Sequence, residues 1–202
     1  MILAFDTSTA ACTAALFDED GRCVGSADEV IGRGHAERLA PMLAELLDGR
    51  AADTILVGVG PGSFTGIRVG IAAANGLAIG WAASLSGFSS LALLAASAKA
   101  NGDVVAAMAG GHGELFVQQF DAALNACGEL LNLAPKPAGE AVAGNLVVGS
   151  GAKALVDARG HGEAIELLPS ARYAMTLPLA LRSLPTAPVY ARAPDAKART
   201  AA

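Results

Sequence analysis

Residues Val57–Gly70 read VGVGPGSFTGIRVG. The run that enters this stretch, DTILVGVG over Asp53–Gly60, is apolar on both faces, as a strand between two parallel neighbours must be. A helix follows the glycines and runs to about Ala83. A buried strand handed to a helix through a glycine-rich turn belongs in a parallel α/β layer. Three roles are open for the turn: cradling a phosphate, presenting a nucleophile, or letting two elements pack closely.

The phosphate signatures each fail on a named residue. A loop of the G-x-x-x-x-G-K-[ST] type needs lysine after its last glycine, and Ile67 follows Gly66. A G-x-G-x-x-G fingerprint begun at Gly58 meets Ser63 in its third glycine position, and one begun at Gly60 meets Thr65. What is left for an anion is the turn itself, Gly62 and Ser63 at a helix N-terminus. The nucleophile reading is no better served, because GPGSFTG is not G-x-S-x-G. The histidines are His35, His112 and His161, and the last two sit between glycines. Ser63 or Thr65 has an ordinary role as the N-cap of the helix that begins there.

The packing reading uses the spacing. Gly66 and Gly70 are four apart, as are Ala72, Gly76 and Gly80, and Ala73 and Ala74 widen the stripe. Residues four apart share a helix face. Each glycine costs a helix about 1 kcal/mol against alanine, so outside contacts must hold this one. Two packings fit: the helix lies on the chain's own sheet alone, or one face packs there and the other on a partner subunit.

Outward from this stretch, ILAFD (Ile2–Asp6), CTAALFD (Cys12–Asp18) and RCVGSADE (Arg22–Glu29) read as a three-strand meander. A helix over 36–47 presents Leu39, Met42, Leu43, Leu46 and Leu47 on one face. SSLALLAASA (Ser89–Ala98) reads as a further helix. The second half restarts with strands over Asp103–Ala109 and Gly113–Asp121, a loop at PKPAGE, and strand, glycine turn and helix over Asn145–Ala158. RYAMTLPLALRSL reads as a last helical stretch kinked by Pro178, and the tail from Pro188 as extended. The order is a meander feeding alternating α/β, twice. It predicts two related lobes, 1–100 and a smaller 101–202, with the break near KANGD.

Composition narrows the classes. The 202 residues are 53% hydrophobic and 16% charged, with 24 glycines, which excludes a disordered chain and favours tight turns and close approaches. Net charge is −5 and no basic stripe is present, which argues against gripping nucleic acid unaided. Cys12, Cys23 and Cys127 have no CxxC spacing and read as reduced, buried thiols. With Met1 leading straight into an apolar strand, no secretory leader and a cytoplasmic location are expected. Val69–Ala98 lacks charge over a span long enough for a bilayer, but its Ala, Gly and Ser content points to a buried or partner-covered helix instead.

ILAFDTST, HAERLAPMLAELL (His35–Leu47), GVGPGSFTGIRVGIAAANGLA and the tail PVYARAPDAK together resemble the bacterial TsaB family, also called YeaZ and described as glycoprotease-like. The resemblance runs through about residue 100 and returns near the C-terminus. It implies the actin/Hsp70/hexokinase-like ATPase superfamily fold, with two ribonuclease-H-like lobes, the second reduced. It implies a non-catalytic part in making threonylcarbamoyladenosine on tRNAs that read ANN codons, beside a TsaD paralogue that performs the transfer and a small TsaE ATPase. ATP and a metal would belong to those partners, and tRNA would be met through the complex. Family members pair through helices of the first lobe, with TsaD or as homodimers.

Carried onto this chain, the partner interface falls on Gly66, Arg68, Gly70, Ala72, Ala73, Gly76, Leu77 and Gly80, with His35 and Glu37 as a second candidate surface. His35-x-Glu37 lacks metal-site spacing. The superfamily wraps phosphate with glycine-containing turns after a first-strand Asp. Asp6 is followed by Thr7-Ser8-Thr9-Ala10-Ala11, without glycine, which leaves Asp6, Ser8, Gly62 and Ser63 as a weak nucleotide-side set. In the second lobe, MAGGHGELF keeps Gly113 and Glu114 of a family DAR-GE-Y pattern but has Ala109 and Gly111 for its acid and arginine. The competing functions are a nucleotide-dependent phosphotransferase and a peptidase of the same fold.

Overall fold

The structure, a computed structural model, describes residues 1–189. The first half gives strands β1 (Ile2–Asp6), β2 (Ala11–Phe17) and β3 (Cys23–Val30), helix α1 (His35–Leu47), β4 (Thr54–Gly58), α2 (Phe64–Trp81), β5 (Ser84–Phe88) and α3 (Ser90–Ser97). The second gives β6 (Val104–Ala109), β7 (Leu115–Phe120), β8 (Leu131–Leu133), α4 (Pro135–Ala141), β9 (Leu146–Val148), α5 (Ala152–Arg159), β10 (Glu163–Ile165) and α6 (Leu179–Arg182).

The two sheets have one plan. Their orders are β3-β2-β1-β4-β5 and β8-β7-β6-β9-β10. In each, two hairpin pairings are antiparallel and the two crossover pairings are parallel. This is the duplicated ribonuclease-H-like architecture of the actin/Hsp70/hexokinase-like superfamily. The second copy is the smaller, its β8, β9 and β10 having three residues each.

Alternation along the central strands sorts the core into layers. Leu3, Phe5, Ile55 and Val57 join Leu39, Met42 and Leu43 of α1 and Ala74 of α2 in one cluster. Ala4 and Leu56, pointing the other way, join α3 together with Val104, Ala106 and Met108 of the second sheet. Val105 and Ala107 turn outward again, towards Ala138 of α4 and Leu155 of α5. The hydrophobic helix α3 therefore lies between the sheets, which is why Leu91–Ala96 is apolar all round and buried throughout.

The chain then returns to its first half. Ala171 donates its amide to Thr13 Oγ1 at 2.7 Å. Leu184 and Gly87 exchange backbone bonds of 2.7 and 2.9 Å, and the Val189 amide donates to the Val59 carbonyl at 2.8 Å.

Several expectations change. SLSGF, within the uncharged run Val69–Ala98, is β5, paired with β4 in parallel. The uncharged span thus splits into helix, strand and helix, and among the described residues no helix is long and apolar enough to cross a membrane. PKPAGE, read as a loop, forms α4, where Pro135 opens the first turn and has no need of a backbone donor. The last helical stretch is a 3-10 segment, Ala171–Thr176, and the short α6, separated at Pro178. Of the cysteines only Cys12 is buried; Cys23 and Cys127 are exposed on the edge strand and after a hairpin turn, and all three are free. The tail expected to be extended lies, from residue 190, outside the described residues.

Candidate functional site

The turn after β4 closes onto the turn after β1. The Ser63 amide donates to the Ser8 carbonyl at 2.7 Å, and Thr7 Oγ1 donates to the Gly66 carbonyl at 2.7 Å. Ser63 is the N-cap of α2, its hydroxyl accepting from the Gly66 amide at 3.2 Å. The glycines permit this contact. A Cβ on Gly66 would overlap the Thr7 carbonyl, one on Gly62 the Ser8 carbonyl, and one on Gly70 would lie 2.6 Å from Thr7 Oγ1. Gly62 also has a φ of 152°, which side-chain-bearing residues rarely adopt.

Asp6 is fully buried beneath this clasp. Its Oδ1 accepts from the Ser8 amide and hydroxyl, both at 2.6 Å, and its Oδ2 from the Ser90 hydroxyl at 2.5 Å. The Ser90 hydroxyl in turn accepts from the Gly60 amide at 3.2 Å. The Asp6 carboxylate, the Ser8 amide and hydroxyl and the Ser63 amide and hydroxyl thus all have partners within the chain.

The small-residue stripe divides into two halves with different surroundings. Gly66 and Gly70 are buried against Thr7, and Ala73 and Leu77 pack partly against the first core cluster. Arg68, Ala72, Gly76 and Gly80 are exposed. A Cβ on Gly76 or Gly80 would meet nothing within 4 Å among the described residues. On the same outward side stand Phe64, 56% exposed, and Ile79, 84% exposed. The Arg68 guanidinium lies over the Phe64 ring, 3.6 Å from its centroid.

Of the second candidate surface, only Glu37 is exposed. His35 is buried, with Nε2 3.2 Å from the Ala11 carbonyl. The first turn of α1 folds it under the β2 end, so it is a local hydrogen-bonding group and not a surface one. A charge cluster lies beside it on α1 and β3. Arg38 makes a fork of bonds to Glu29 on β3, at 2.7 and 2.5 Å, and two more to Glu45, both at 3.1 Å. The Arg38 bonds hold the Glu29 carboxyl below its usual range. Burial, with the Glu29 charge adding to it, pushes the Cys12 thiol up to about 11.

Thr7 and Ser90 are the working residues that sequence reasoning missed. Ser90 sits one position after the N-cap Ser89 of α3, and nothing local distinguishes it from an ordinary first-turn serine. Among the described residues no group of three or more His, Cys, Asp and Glu side chains is placed to hold a metal ion.

The family model described as TsaD, tRNA N6-adenosine threonylcarbamoyltransferase, matches residues 22–178. The chain is 38% identical over 127 residues to the tRNA threonylcarbamoyladenosine biosynthesis protein TsaB of Escherichia coli (strain K12). That alignment covers 59% of this chain and 54% of the relative, so the chain spans about half the length of the E. coli protein. An uncharacterized protein of Mycobacterium tuberculosis is 32% identical, covering 97% of this chain and 93% of its own length. Among solved structures, YeaZ from Pseudomonas aeruginosa aligns with a TM-score of 0.77 at 32% identity, covering 94% of this chain and 98% of its own. Another, described as an uncharacterized protein with similarity to peptidase YeaZ from Pseudomonas aeruginosa, aligns at 0.80 and 33%, covering 95% and 99%.

Proposed function

The chain belongs to the TsaB/YeaZ family, and from that premise we propose that it is a non-catalytic subunit of the machinery that makes threonylcarbamoyladenosine on tRNAs reading ANN codons. Its task is to dock a TsaD-like paralogue through the outward face of α2, with a TsaE-like ATPase joining the assembly and tRNA met through the complex. A second copy of the chain competes for the same face when the paralogue is absent. The free cysteines suit a reducing, cytoplasmic setting.

The observation that carries the reading is the outward half of α2. Gly76 and Gly80 weaken the helix and serve no contact with the described residues, while Ile79 beside them is 84% exposed. A face of small residues flanked by Phe64 and Ile79 admits another helix closer than the usual separation of about 8–10 Å. The side chains that a peptidase would need have other tasks: Ser63 caps α2 and His35 is turned into the α1–β2 junction.

The test is co-purification with the TsaD-like paralogue. Gly76→Arg fills the outward face without touching the fold, and loss of the complex is the expected result. An intact complex with this variant, whose circular dichroism matches the parent, would overturn the interface.

A further inference from the structure

A second feature lies away from α2, where the two halves of the chain meet. A cavity of about 270 Å³ opens between the end of α3, the start of β6, the turn after β7 and the Ala171–Thr176 segment. Its apolar lining includes Ala95, Ala96 and Ala100 together with the larger Val104 and Leu124. Two opposite charges, Lys99 and Asp121, line it as well.

Lys99 is exposed and Asp121 is half-buried. Lys99 follows α3 with a φ of 51°, a backbone state that helices usually give to glycine at this position. Its ammonium stands 5.3 Å from the centroid of the Tyr173 ring, which also lines the cavity. Asp121 is fixed by its own turn: Oδ1 accepts from the amides of Ala123 and Asn125 at 2.9 and 2.8 Å, and Oδ2 from Asn125 Nδ2 at 3.0 Å. Those bonds hold its carboxyl below the usual range, so it is ionised at neutral pH. Oδ2, with a single partner among these, keeps acceptor capacity.

We propose that this cavity binds a small zwitterion, an α-amino acid with a compact apolar side chain. The ligand's carboxylate meets the Lys99 ammonium, its ammonium meets Asp121 Oδ2, and its side chain rests on the alanines. A molecule bearing one charge satisfies one wall and faces its own sign on the other. Because the walls come from both halves of the chain and from the returning segment, occupancy ties these elements together.

The experiment is an amide-shift titration of the full chain with three probes that share an isobutyl group: L-valine, isobutylamine, which lacks the carboxylate, and isovalerate, which lacks the ammonium. Valine is expected to give saturable shifts at Lys99, Ala100, Gly102 and Ala122, and each singly charged probe to bind about tenfold more weakly. Lys99→Met should bring valine down to the isobutylamine level, and Lys99→Arg should restore part of the difference. The proposal is overturned by the absence of saturable shifts up to about 20 mM, by equal binding of the three probes, by shifts centred elsewhere, or by a Lys99→Met variant that still prefers valine.

Discussion

Asp6 and Ser90 stand 84 residues apart in the chain, and the Ser90 hydroxyl donates to Asp6 Oδ2 at 2.5 Å. The same hydroxyl accepts from the Gly60 amide, so one small side chain joins β1, the turn after β4 and the start of α3. Ser90→Ala leaves a buried carboxylate short of a donor and a backbone amide without an acceptor. Urea denaturation should show a loss of about 3 kcal/mol. A loss under about 0.5 kcal/mol, the usual range for an uninvolved position, would mean that the network does not hold the turn.

The two halves of the α2 stripe should answer alanine with opposite signs. Gly66→Ala drives a methyl group into the Thr7 carbonyl and should lower stability by about 2 kcal/mol or more. Gly76→Ala enters open space in a helix and should raise it by up to about 1 kcal/mol. Thermal melts of the pair decide this, and a destabilised Gly76→Ala would place an unseen neighbour against that face in the isolated chain.

Acidification should loosen the α1–β3 clasp. The Glu29 carboxyl is held below its ordinary value of 4.5 by the Arg38 guanidinium. A group depressed in the folded state contributes stability that is full above its unfolded value and is lost as pH falls through the folded one. The advantage of the parent over Glu29→Gln should therefore be level at neutral pH and shrink on acidification below about pH 4.5. A difference unchanged down to about pH 2 would disconnect Glu29 from stability.

Thiol labelling should separate the cysteines. Cys23 and Cys127 are exposed and should react promptly at pH 8, whereas Cys12 is buried, with its thiol pushed up to about 11, and should react only when the chain opens. Mass spectrometry after brief alkylation reads this directly. Prompt modification of Cys12 would show that the β2 layer opens locally under native conditions.

Gly76→Asp complements the arginine variant of the docking test. An acid at this position should also abolish co-purification with the TsaD-like paralogue, since a desolvated charge on a small-residue face is costly whatever its sign. Retention of binding by the acid alone would point to a basic partner surface instead of close helix packing.

The sequence by itself determined the elements whose signal is local. The buried character of Thr54–Gly58, the α1 face and the Ser63 cap can be read because period, hydrophobicity and capping chemistry are written within a few residues. The doubled element order could be read for the same reason, being a sum of such signals. The short strand β5 and helix α4 could not: SLSGF is stabilised as a strand by its pairing with β4, and PKPAGE as a helix by its packing on α5 and the second sheet. Only the tertiary structure decided what each glycine of the stripe is for. Gly66 and Gly76 both belong to the small-residue stripe, but one lies under a carbonyl 59 residues upstream in the fold's own clasp and the other faces open space. A missing side chain acquires a role only from what comes to stand where it would have been, and that is set by contacts between distant parts of the chain.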